Sequence, residues 1–161
     1  MSKANVYVYF KSKFAILYAV FEPWFRARIE GLERSALAIS DPRERLRHIC
    51  LALWRDIPAD DNGFANNMMQ AISTAWKDSG YDRSLLQWSE AKVSDMIRSA
   101  LPSDRAAAVE QEFLAHLMFM AFDGFVLNHR VVGPSRRING IVEMMVDFLL
   151  PPREQPTPGP A

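Results

Sequence analysis

The chain has 161 residues, 49% of them hydrophobic and 24% charged, values close to ordinary globular averages that exclude collagen-like, low-complexity and disulfide-scaffold classes. Nineteen Lys and Arg balance nineteen Asp and Glu, so any affinity for nucleic acid must come from a local cluster rather than from net charge. The lone Cys50 cannot close an internal disulfide, no Cys/His spacing suits zinc, and the longest apolar run, Phe113 to Leu127, is too short to span a bilayer; a cytoplasmic protein with no metal, cofactor or membrane segment is expected.

Helical periodicity dominates, and the expected fold class is all-α. A short first helix is predicted over about 4–10, with Ser2 as its N-cap, and Ser12 caps the next. That second helix carries Phe14, Leu17, Tyr18, Phe21, Trp24 and Phe25 at three-and-four spacing and is predicted to reach about Ile39, bent rather than stopped at Pro23. Asp41-Pro42-Arg43-Glu44 reads as a capping box opening a third helix, which is expected to close near Asp56, before Pro58.

After a polar break at Asp60 to Gly63, Phe64, Met68, Ile72 and Trp76 line one face of a helix that stops at Ser79-Gly80. A further amphipathic helix over about 83–100 ends before Pro102. Ser103 or Asp104 opens a long helix to about His129, and Gly133-Pro134 is expected to start the last helix, terminated by Pro151-Pro152. The tail, 151–161, is proline-rich and expected to be disordered.

Two of these helices are apolar almost all round. Phe113, Leu117 and Phe125 lie on one line of the long helix while Leu114, Met118 and Phe122 lie on another. Ile138, Ile141, Val142, Met145 and Leu149, widened by Met144, Phe148 and Leu150, leave the last helix only a narrow polar strip. Such helices must be covered on both sides, and a chain of this size has few elements to do it. A homodimer through a four-helix interface is therefore expected, with Met118, Phe122, Phe125, Ile141, Met145, Phe148 and Leu149 at the contact.

Trp54, Phe64, Met68, Met69, Ile72, Trp76, Trp88, Met96, Phe113, Leu117 and Met118 can enclose an apolar cavity for a small, largely hydrophobic ligand. His116, Asn67 and Gln70 are its candidate orienting groups. Catalysis has little support, and no enzymatic activity is expected. His48 and Cys50 are two apart and fall on different helix faces, His116 and His129 are too far apart to share a metal, and Asp60-Asp61 are explained by capping. No glycine-rich phosphate loop occurs.

The most specific signal is the run Ser2-Lys3-Ala4-Asn5-Val6-Tyr7-Val8-Tyr9-Phe10-Lys11-Ser12-Lys13-Phe14-Ala15-Ile16-Leu17. Small polar groups opening a short helix, then tyrosines, then lysines at the first turn of the next helix supply what major-groove entry with flanking phosphate contacts requires. Over about residues 2–20 the run resembles the recognition helix and following helix start of the TetR family of transcriptional regulators. The Asp123-Gly124 pair inside a long apolar helix and the last apolar helix resemble that family's ligand-binding and dimerisation domain.

The resemblance implies a DNA-binding regulator, a repressor, controlled by a small hydrophobic effector, with domains 1–20 (helix-turn-helix remnant) and 21–150 (ligand binding and dimerisation) before the tail. By the matching positions it implies Lys3 and Asn5 at base edges, Tyr7 against the backbone or a thymine methyl, Tyr9 and Lys13 on phosphates, and Ser2 as cap or phosphate contact. In the family two helices and a Gly-Val turn precede this motif, and here Met1 stands at that apolar position. A truncated headpiece with weakened DNA affinity is the expectation; a ligand-binding and dimerisation module without independent DNA binding is the alternative.

Overall fold

The computed structural model describes residues 9, 10, 12–60, 67, 70, 71, 73, 83–103 and 111–151. Among these the chain is all-α, with no strand. Helix α1 is Lys13–Leu37, α2 is Pro42–Leu51, and a π-helical turn, Ala52–Asp56, leads into α3, Ile57–Asp60. Then come α4, Ser84–Ala100; α5, Gln111–Val132; and α6, Ile138–Leu149. The expected first helix and the helix over 64–79 lie largely outside the described residues, as does all of the proline-rich tail beyond Pro151.

Local chemistry explains the starts. Ser12 Oγ accepts from the Ala15 amide at 3.1 Å, and Asp41 accepts from the Glu44 amide at 2.8 Å with Pro42 following in the first turn. Each satisfies one donor that the first helical turn would otherwise leave open. The Glu44 carboxylate does not reach back to close the capping box; it pairs with Arg47 instead. Pro23 sits inside α1, and the helix continues through it.

Pro58 does not end the third helix, as its sequence suggested. The chain passes through it, and Pro58 is buried. Proline has no N–H and its ring crowds the carbonyl four residues back, here that of Trp54. The π-helical turn immediately before it widens the spiral, with the Ile57 amide reaching five residues back to Ala52 O, so that the crowding is relieved without breaking the helix. A second departure is at the other end: Gly133 takes φ +89°, a left-handed conformation open to glycine at little cost. Pro134 then lies in a loop, and α6 begins at Ile138 rather than at Pro134.

The core lies where α1, α2, α4 and the inner side of α5 meet. Ile29, Leu46, Ile49, Val93 and Ile97 are fully buried there, and α4 packs along both α1 and α5 while α6 lies chiefly on α2. Arginines on α2 tie the helix ends together. Arg45 donates to the Ile39 and Ser99 carbonyls at the ends of α1 and α4, and Arg43 donates to Leu150 O and Asp147 at the end of α6. These guanidinium groups satisfy carbonyls that a helix C-terminus leaves without partners.

Candidate functional site

Helix α5 buries one face and leaves the other in solvent. Leu114, Ala115, Met118, Phe119, Phe122 and Val126 are buried. Phe113, Leu117, Met120, Leu127 and Val131 are exposed, and so are Met144 and Phe148 on α6, by 51% at Leu117 up to 76% at Phe148. From Phe113 the exposed positions follow steps of four and three, with Gly124 filling the place between Met120 and Leu127. A row with that spacing keeps to one face of a helix and is the pattern that seats a second helix. Seven large side chains are left half or more uncovered, an excess of exposed apolar surface of the kind that marks contact sites.

Between α5 and α6 lies a crevice of about 580 Å³, walled by Ala121, Phe125, Val132, Pro134 and Ile141. Its polar groups are Asn128, Ser135 and Arg137. A second cavity of about 150 Å³ shares Phe125, Asn128 and the Gly133-Pro134-Ser135 loop and reaches Trp54, Arg55 and His129. No acidic side chain lines either space among the described residues. Trp54 is buried in the floor, its Nε1 donating to Met118 O at 3.1 Å and its ring 5.5 Å from that of Phe125. The π-helical turn thus anchors directly on the backbone of α5.

Trp54, Trp88, Phe113, His116 and Leu117, five of the residues expected at a ligand pocket, are among those described. Trp54 is in the core, whereas Phe113 and Leu117 are on the outer row of α5. His116 is on the surface too, its Nδ1 2.9 Å from Glu90. Trp88 is half-buried, with the Arg26 guanidinium 4.4 Å from its ring centre, a cation–π contact on the outer side of α4. Met68, Met69, Ile72 and Trp76 lie outside the described residues. Of the expected interface residues, Met118, Phe122 and Leu149 are in the core; Phe125, Ile141 and Met145 are half-buried, and Phe148 is exposed.

Of the expected DNA contacts, Tyr9 is exposed, Lys13 opens α1, and Ser2, Lys3, Asn5 and Tyr7 lie outside the described residues. Sequence reasoning did not single out Met120, Leu127, Val131 and Met144 for the outer face, or Asn128, Ser135 and Arg137 for the crevice. The four-and-three spacing from Phe113 was the available signal for the first group.

The histidine and cysteine chemistry of α2 is structural. Cys50 is fully buried, and its thiol is pushed up to about 12 by desolvation, which keeps it protonated and a poor nucleophile. His48 Nε2 lies 2.7 Å from Ser35 Oγ, and the serine hydroxyl is also 3.0 Å from its own helix carbonyl at Leu32. With one proton, Ser35 can donate to Leu32 O while accepting from His48, an arrangement that ties α1 to α2. Among the described residues no group of three His, Cys, Asp or Glu could hold a metal, and no helix is long and apolar enough to cross a membrane. No protein-family model matches the chain, and neither a curated protein nor a solved structure matches it.

Proposed function

We propose that the chain is a homodimeric, ligand-controlled transcriptional regulator of TetR type, a repressor, in which a second copy packs across the exposed faces of α5 and α6. The observation that carries the reading is the outward row Phe113, Leu117, Met120, Leu127 and Val131, flanked by Met144 and Phe148. Burying it against its own two-fold mate removes from water a surface on the scale of about 800 Å² per partner, that of a standard interface. Gly124 supports the same geometry. A Cβ built there meets nothing within 4 Å, so the chain's own packing has no need of a glycine, whereas a helix crossing at close range does.

DNA recognition in this reading belongs to the segment from Ser2 to Lys13, mounted on α1. The contacts that α1 makes with α4, and α4 with α5, would in this reading link that segment to the dimer face. An effector would control the output only by binding one spacing of the two DNA-contacting segments more tightly than the other.

Two measurements test the reading. Light scattering on the eluting protein should give twice the chain mass. A gel-shift on DNA upstream of the chain's own coding region should show a retarded band that weakens steeply with salt, as phosphate contacts require. A dimer that shifts no DNA, even when extended by any in-frame upstream residues, would establish the second reading, a ligand-binding and dimerisation module able to capture a full-length partner. A monomer at all concentrations would overturn both.

A further inference from the structure

We propose that the crevice between α5 and α6 is a binding site for a small amphipathic organic anion, a carboxylate on an alkyl or aromatic body, held at its charged end by Arg137. Its volume of about 580 Å³ falls in the range of small-molecule sites, roughly 300–1,000 Å³. Its lining mixes the two kinds of group: on α5 Asn128 falls between Phe125 and Val132 on one helix stripe, and Ser135 and Arg137 stand at the start of α6, one turn before Ile141. A mostly apolar lining with one guanidinium at the start of α6 fits a ligand with one greasy and one charged end.

The sign of the charge follows from the arginines. Arg55, at the neighbouring cavity, is already neutralised by Asp56, Nε to Oδ1 at 2.7 Å. Arg137 lines the larger crevice, and its guanidinium makes no ion pair or hydrogen bond among the described residues. No carboxylate lines either space and Arg137 is exposed, so an incoming anion meets no competing acidic side chain there and can take charge-assisted, two-pronged bonds from the guanidinium. The same end of the crevice is the start of α6, where the Ser135 hydroxyl accepts from the Arg137 amide at 3.2 Å, and the helix dipole adds attraction of the same sign. Gly124 belongs both to the crevice wall and to the outward row of α5. A bound anion therefore sits beside the surface that a second copy would cover.

This deepens the effector part of the proposed function and names the chemical class of the effector. Its test needs no DNA, so a chain that binds the anion and no operator sinks the regulator reading alone. Octanoate and its uncharged twin octanamide are titrated calorimetrically into the full chain, into Arg137→Gln, and into Val132→Trp, which fills the crevice from an exposed position. Octanoate should bind, with octanamide at least tenfold weaker. R137Q should weaken octanoate roughly tenfold, the loss of one partly exposed charge-assisted pair, and leave octanamide unchanged. V132W should abolish both. Equal binding of the two ligands, no octanoate binding, or indifference to either substitution overturns the proposal. So does a result in which the variants alter the mass in solution but not octanoate binding, since the crevice is then filled by the second copy.

Discussion

Helices α4 and α5 pack along each other, yet they solve the burial problem in different ways. On α4 the apolar residues Leu85, Val93, Met96, Ile97 and Ala100 form one buried stripe, and the outer face is mostly polar, with Glu90, Lys92, Asp95 and Arg98. On α5 a buried stripe through Leu114, Met118 and Phe122 is backed by a second apolar row in solvent. A helix with one stripe is satisfied by its own chain. A helix with two carries more apolar surface than the fold covers, and the excess belongs to something outside the fold.

The comparison breaks most sharply under charge. Val93→Glu places an unpaired carboxylate at a fully buried position and should cost about 4 kcal/mol or more, a large part of the whole stability of a domain this size. Urea unfolding should show a chain that is unfolded or nearly so. Leu127→Glu places the same group on the outer row, where half the side chain is already in water. The monomer should lose no more than about 0.5 kcal/mol, while the two-fold axis brings two of the new charges into one interface and should raise the dimer dissociation constant roughly a hundredfold. Sedimentation at several concentrations reads the second effect. If L127E unfolds like V93E, the two rows are not different in kind.

Gly124 gives a smaller and more pointed contrast. Glycine within an exposed helix costs about 1 kcal/mol relative to alanine, and an added Cβ meets nothing in its own chain. Gly124→Ala should therefore raise the stability of the monomer by that order while weakening self-association if a second helix crosses there. Chemical denaturation of a monomeric L127E background, beside sedimentation of the single variant, separates the two effects. A dimer indifferent to the methyl group would move the crossing point away from Gly124.

Much of this fold was legible in the residues. The caps at Ser12 and Asp41, the passage through Pro23 and the extent of α4 all follow from local rules, because the groups that decide them are neighbours in sequence. The passage through Pro58 was not legible: whether a proline ends a helix or sits behind a π-helical turn depends on what holds both sides, here the burial of Trp54 and its bond to Met118 O. Nor could the two rows of α5 be assigned. Both have the same helical period, and only the packing of α4 and the π-helical turn decides that Met118 and Phe122 go inward while Phe113 and Leu117 go outward. The crevice depends on a loop whose turn at Gly133 sets the separation of α5 and α6, a quantity that no local pattern encodes.

The smallest expected effect concerns how α6 is held. Arg47 makes two bonds of 2.7 Å to the Glu143 carboxylate, and this pairing lowers the Glu143 carboxyl below its ordinary range. A carboxylate whose folded value is depressed stabilises the fold above its unfolded value, and that contribution disappears as pH falls through the folded one. Wild type and Arg47→Gln should therefore differ in thermal stability at neutral pH and converge on acidification, as pH falls through and below the ordinary carboxylate range. Because both partners are partly in solvent, high salt should narrow the neutral-pH gap as well. The outer row of α5 does not depend on this pair, whereas Met144 and Phe148 stand on the helix that it clamps to α2. If acid weakens self-association in parallel with the loss of the Arg47–Glu143 contribution, and R47Q weakens it already at neutral pH, then the α6 half of the outward face owes its position to this ion pair and the α5 half to the core.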